Sequence, residues 1–197
     1  LKKLNDEQLA QLTYELTLAK RNKPSLNLTQ LNELAFKRVA EASSQTGAVI
    51  SAQQVEVEDV IVIETGLTNW YESVLQAGAA FEAQRQMKKY LGDDIAPEDR
   101  ADSFRHVYWN LDLYWRFVYL NGFSISRIET WTDAHECVRH GVPDVTDQNC
   151  LATKYANKGW NDPQVRARIQ LSNKMDLANN KWALDYAIQN MSGIITS

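Results

Sequence analysis

A chain of 197 residues, 44% hydrophobic and 23% charged, is long enough to close one hydrophobic core without a metal or disulfide staple. The net charge of −4 sets the overall field against a phosphate backbone, which argues against nucleic acid as a partner unless a local basic patch overrides it. No stretch approaches the roughly 18 consecutive apolar residues of a membrane-spanning helix, so no transmembrane segment is expected.

Residues 6–22 read as a helix. Asn5 caps it, Asp6 and Glu7 suit its first turn, and Leu9, Leu12, Leu16 and Ala19 share one face. A second helix over 28–42 carries a stripe of Leu31, Leu34, Ala35 and Val39. Residues 48–64 change character. Val55, Val57, Val60, Ile61, Val62 and Ile63 are β-branched and partly alternating, which predicts a short β hairpin. A boundary near residue 65 then divides an N-terminal helical appendage, 1–65, from a helical domain, 66–197. Thr68 caps a helix over 69–91 with Trp70, Val74, Leu75, Ala77 and Phe81 inward.

The next helix opens near Pro97 and runs to Leu120. Its aromatics, Phe104, Tyr108, Trp109, Tyr114, Trp115, Phe117 and Tyr119, surround it rather than stripe it. That pattern predicts the central helix of a mainly α bundle. Arg105, His106, Asp112 and Arg116 count against the rival reading of a membrane-surface helix. Ser124 caps a helix over 125–140, stopped by Gly141 and Pro143. Residues 141–161 read as a long loop, and Pro163 opens a last helix that reaches 192.

Three polar clusters interrupt these apolar helices: RHVYWN at 105–110, DAHE at 133–136 and MDLANN at 175–180. His106 and Asn110 are four apart and share a face, with Asp102 one turn earlier; Asp133 and Glu136 are three apart; Asp176 and Asn180 are four apart. The chain has three histidines, His106, His135 and His140, all within these clusters or one turn beyond. Helical bundles build catalytic and metal sites from inward side chains at such spacings, so the clusters are expected to converge on one point. Histidine is the side chain most readily tuned for proton transfer near neutral pH.

Several chemistries remain open at that point. A zinc site would draw on the histidines and carboxylates, although HExxH and paired CxxC are absent. A hard-cation site would use Asp133, Glu136 and Asp176. A metal-free His–carboxylate pair would activate water or a hydroxyl. A fully paired network that only fixes helix register is the structural alternative. GxSxG, a P-loop and GxGxxG are all absent, which argues against a serine esterase elbow and nucleotide chemistry. Cys137 and Cys150 flank a Gly/Pro/Asp-containing loop and are expected to form a disulfide, which would place the chain in an oxidising compartment; two reduced thiols are the alternative.

The three clusters together resemble an uncharacterised bacterial domain family with the pattern RHxxWN…DAHE…MDLxNN, over roughly residues 69–192. Arg105, His106, Trp109, Asn110, Asp133, His135, Glu136, Asp176, Asn179 and Asn180 occupy its motif positions. Ala178 departs from it, standing where the family often has histidine, which counts against any metal scheme needing a ligand there. The resemblance implies an exported, toxin-like bacterial protein, with a partner or immunity protein as its counterpart.

The expected activity is a hydrolase acting on a phospholipid or cell-envelope component. His106, Asp133, His135, Glu136 and Asp176 would be catalytic. Arg105, Trp109, Asn110, Asn179 and Asn180 would hold substrate. A divalent metal is left open as cofactor. A non-enzymatic ligand-binding or interaction module is the alternative.

Overall fold

The computed structural model describes residues 4–45, 70–92, 100–138 and 146–191. They form α1 (Asp6–Asn22), α2 (Leu28–Gln45), α3 (Trp70–Leu91) and α4 (Arg100–Leu113), which continues as a π-helical turn, Tyr114–Tyr119. Then come α5 (Ile125–His135), the short α6 (Gln148–Lys154), a 3₁₀ turn (Ala156–Lys158) and α7 (Pro163–Met191). The fold is mainly α. The hairpin expected at 48–64, the boundary near 65, the Thr68 cap and the Pro97 start lie outside the described residues.

The first two helices start with the same device. Asn5 and Gln8 exchange hydrogen bonds with each other's backbone N–H, at 3.0 and 2.9 Å. Asn27 and Gln30 do the same at the start of α2, at 3.1 and 3.0 Å. Each pair satisfies two N–H groups that a helix end leaves without a partner. The start of α3 is capped from α2, where Asn32 Oδ1 accepts from the Trp70 N–H.

One continuous core joins all the long helices. It takes Leu12 and Leu16 from α1, Leu31, Ala35 and Val39 from α2, and Tyr71, Val74, Leu75, Ala79 and Ala83 from α3. Trp109, Leu113, Tyr114, Phe117, Ile128, Trp131, Ala134, Leu184 and Ala187 complete it. The helix α4 packs on α3 along one side and on α7 along the other, so the expected central helix is central. Its aromatics divide, however. Trp109, Tyr114 and Phe117 are buried, whereas Trp115 and Tyr119 face solvent.

Four local expectations are corrected. The inward face of α3 is rotated from the expected one: Tyr71, Val74, Leu75, Ala79 and Ala83 are buried, while Trp70, Ala77 and Phe81 are half-buried. The first turn of α3 is enclosed by α1, α2 and α5, so even Glu72 is buried there, paired with Arg127 and accepting from Trp131 Nε1 at 3.3 Å. Ser124 occupies the N-cap position of α5, as expected, but its side chain makes no capping bond; its hydroxyl pairs with that of Ser126 at 2.8 Å.

The helix α5 ends at His135 rather than near 140. Cys137 adopts a left-handed backbone, φ 55°, which no helix continues through. The stretch read as a loop over 141–161 contains α6, started by the Asp147 carboxylate, which accepts from Asn149 and Cys150 N–H. The Cys137–Cys150 disulfide is present, with a Cα–Cα separation of 5.6 Å, and ties α6 to the end of α5. Leu151 and Trp160 pack with it in a second, smaller core.

Candidate functional site

The buried residues of α4 are Ala101, Asp102, His106, Trp109, Asn110 and Leu113, a single face at helical spacing. Those of α7 are Asn173, Asp176, Asn180, Ala183, Leu184 and Ala187. The α7 stripe is polar over its first half and apolar over its second, and the α4 stripe carries Asp102, His106 and Asn110 among apolar residues. Where α4 and α7 pack together, the polar residues meet, and the C-terminus of α5 delivers His135 and Glu136 to the same place.

His106 is the hub and is almost fully buried. Its Nε2 lies 2.9 Å from Arg105 Nη2, 3.3 Å from Asp176 Oδ1 and 3.8 Å from Asp102 Oδ1. Its Nδ1 lies 3.3 Å from Asn180 Oδ1 and 3.6 Å from Glu136 Oε1. Arg105 also donates to Asp102 Oδ1 at 2.6 and 3.1 Å. His135 Nε2 is 4.0 Å from Glu136 Oε1, and Trp109 packs edge-on beside both imidazoles, 5.0 Å from the His135 ring and 6.2 Å from the His106 ring, which are themselves 6.0 Å apart.

A chain of hydrogen bonds fixes the tautomer of His106. The main-chain carbonyl of His106 only accepts, so the atom of Asn110 facing it at 3.0 Å is Nδ2. That same Nδ2 donates to Asn180 at 2.7 Å, so Asn180 turns its oxygen inward. The His106 Nδ1 facing that oxygen therefore carries the hydrogen. On the other side of the ring an arginine N–H, which only donates, points at Nε2. Both contacts favour hydrogen on Nδ1 and a lone pair on Nε2, against the pull of the Asp176 carboxylate, an acceptor 3.3 Å from Nε2.

The electrostatics agree. Burial, reinforced by Arg105 and His135, pushes His106 down to about 3, so the ring is neutral. Burial pushes Glu136 up to about 8 against the opposing pull of Lys154, so this carboxyl holds its proton at neutral pH. Tyr155 nearby is raised to about 12 by burial and by Glu136, and stays a phenol. Several buried atoms here make no hydrogen bond: Trp109 Nε1, Asn110 Oδ1, Glu136 Oε1, Asn173 Oδ1 and Asn180 Nδ2. Such a concentration of unmet polar atoms is costly, at about 1–3 kcal/mol each, and sets the cluster apart from an ordinary core.

The structure thus gathers Arg105, His106, Trp109, Asn110, His135, Glu136, Asp176 and Asn180. Asp133 is half-buried on α5 and lies outside both groups of converging donors, which are His106, His135 and Glu136 on one side and Asp102, His106 and Asp176 on the other. Asn179 sits one position off the α7 stripe, half-buried. Ala178 faces solvent, so no side chain there would reach the cluster. His140 lies outside the described residues.

Two contributors went unread in the sequence. Asn173 donates to the Glu136 carbonyl at 2.9 Å, and its position three before Asp176 was the available signal. Lys154 donates to the His135 carbonyl, and nothing in its local sequence announces this.

A mainly α-helical chain with a buried histidine–carboxylate centre between three helices is the class that fold and site define. Residues 63–196 match the family described as Domain of unknown function (DUF6973), and the chain belongs to that family. No curated protein and no solved structure matches it.

Proposed function

We propose that the chain is a hydrolase that activates water at His106 Nε2, between Asp176 and Asp102, with Arg105 holding an anionic group of the substrate. One observation carries this reading: a neutral imidazole locked in one tautomer, its lone pair directed at two carboxylates and a guanidinium that reaches in from the rim. In the reaction, the water oxygen bonds to the acyl carbon or phosphorus and the bond to the leaving alcohol breaks. The proton that water loses is returned to that alcohol. Arg105 would turn from Asp102 to the substrate, which also relieves its field on Nε2.

The substrate we favour is an ester or phosphoester of a phospholipid or another envelope component. The order RHVYWN…DAHE…MDLANN supports it by resemblance to exported, toxin-like bacterial proteins. The disulfide supports an oxidising compartment. A toxin-like role brings with it a neutralising partner protein.

A polar network without chemistry is the second reading, and His106's nearly complete burial favours it. Two clefts of the described surface lie elsewhere, one lined by Tyr114, Trp115, Tyr119 and Met191, the other by Thr13, Tyr14, Glu82 and Arg116 among others.

Purified protein incubated with anionic phospholipid vesicles, and separately with cell-wall fragments, tests the proposal, with products read by mass spectrometry. We expect release from one of the two, reduced roughly 10²-fold or more in His106→Gln with the helical circular dichroism retained. Expression in bacteria, directed to cytoplasm or periplasm, should slow growth in one compartment for wild type alone. No product and no growth effect in either compartment would leave the network reading in possession.

A further inference from the structure

We infer that Asp102, His106 Nε2 and Asp176 form a binding site for a divalent transition-metal cation, which enters by displacing the Arg105 guanidinium. The three donor atoms lie within 4.8 Å of one another, and Nε2 stands 3.3 Å from Asp176 Oδ1 and 3.8 Å from Asp102 Oδ1. Two atoms each about 2.1 Å from one metal, at a tetrahedral angle, are about 3.4 Å apart. The His106–Asp176 pair is already at that spacing, Asp102 would close on Nε2 by a few tenths of an ångström, and the two carboxylates stand no more than 4.8 Å apart.

The ring is set for ligation at this nitrogen and not at the other. Nδ1 carries the hydrogen and directs it at Asn180 Oδ1, with Glu136 Oε1 behind at 3.6 Å. A metal-bound histidine almost always donates its second N–H in this way, which fixes the ring and strengthens the ligating nitrogen. The alternative group of His106, His135 and Glu136 would require a metal at Nδ1, where the hydrogen is.

A lone pair and two carboxylates facing one point repel unless a cation sits among them. Arg105 supplies that cation, with Nη2 at 2.6 Å from Asp102 Oδ1 and 2.9 Å from Nε2. It reaches in from the edge, its side chain 29% exposed, and can turn outward without disturbing the core. Two carboxylate oxygens and one imidazole suit Mn²⁺ or Zn²⁺ better than Ca²⁺ or Mg²⁺, which prefer all-oxygen shells. Ala178 does not bear on this site, because it faces solvent. As a statement about catalysis the inference rests on the hydrolase reading but changes its base: with Nε2 coordinated, the cation rather than the imidazole would activate the attacking water. As a statement about binding it is measured without substrate, so the two fail separately.

The test is calorimetric titration of the chelator-treated full chain with Mn²⁺ and, separately, Zn²⁺, alongside thermal melts. We expect one ion per chain and a raised melting temperature. Asp176→Asn and His106→Gln should each weaken binding roughly tenfold or more, and Asn180→Leu by about tenfold. Arg105→Gln should tighten it, because the resident cation is gone; a merely structural arginine gives no such gain. Asp102→Asn serves as the check if His106→Gln does not fold. Absence of one-to-one binding in both wild type and Arg105→Gln overturns the inference, as does binding that survives Asp176→Asn and Asp102→Asn unchanged.

Discussion

Glu136 and His106 stand 3.6 Å apart, and burial moves their proton affinities in opposite senses. His106 falls from 6.5 to about 3 on folding. Between those values the unfolded chain holds a proton that the folded chain refuses, so stability drops as pH falls, by about 1.4 kcal/mol per unit. Glu136 rises from 4.5 to about 8. Between those values the folded chain holds a proton that the unfolded chain releases, so stability drops as pH rises, with the same slope of about 1.4 kcal/mol per unit. The two slopes cancel where the windows overlap. The metal-free protein should therefore show a plateau at mildly acidic pH, an acid limb due to His106 and an alkaline limb due to Glu136. Denaturant titrations in chelator across this range check it. Glu136→Gln should flatten the alkaline limb relative to wild type, and His106→Gln the acid limb. A wild-type protein that gains stability from pH 6.5 to 8 would contradict the account.

At the scale of elements, α1 and α3 touch at Gly78. A Cβ there would stand 2.4 Å from Thr13 Oγ1, 2.6 Å from its Cγ2 and 3.0 Å from its Cβ. Thr13 is β-branched, and its hydroxyl is bonded to the Leu9 carbonyl at 2.8 Å, so it has little freedom to yield. Gly78→Ala should destabilise by about 1–3 kcal/mol despite its better helix propensity, measured by chemical denaturation. Glu72 ties α3 to α5 through Arg127 and Trp131. Glu72→Ala leaves Arg127 without this partner and should cost about 3–5 kcal/mol. The double change of Glu72 and Arg127 to leucine should recover much of the loss. These elements also show what was legible in sequence. The faces of α4 and α7 could be read because His106–Asn110 and Asp176–Asn180 repeat at the helical period, and the period alone brings them to one side. The seven residues of α6 are too few for a period to register, and the left-handed turn at Cys137 ends α5 in a way no glycine announced. Lys154 and Glu72 join their partners across 19 and 55 or more residues, distances over which local pattern carries no information.

At the scale of the molecule, the site depends on a stack in which each helix is covered by another. Asp102, His106 and Asp176 meet because α4 and α7 pack together, and α4 in turn lies against α3. The helix α3 is also packed against α1 and α2, whose Leu12, Leu16, Leu31 and Val39 are almost fully buried. Each such side chain contributes about 1.5–3 kcal/mol when buried, and a domain's net stability is only about 5–15 kcal/mol. The family match begins at residue 63 and so omits both helices. A chain of residues 66–197 alone would expose the side of α3 at Trp70, Val74 and Gly78, which Asn32 of α2 and Thr13 of α1 meet. We expect this shortened chain to lose its cooperative melt, and to lose with it the pH signature of His106 and Glu136. Adding a peptide of residues 4–45 should restore both, because the missing surface is supplied without a covalent link. Differential scanning calorimetry of the shortened chain, alone and with the peptide, decides the matter: a sharp transition near the wild-type temperature without the peptide would mean that α3 to α7 hold the site by themselves.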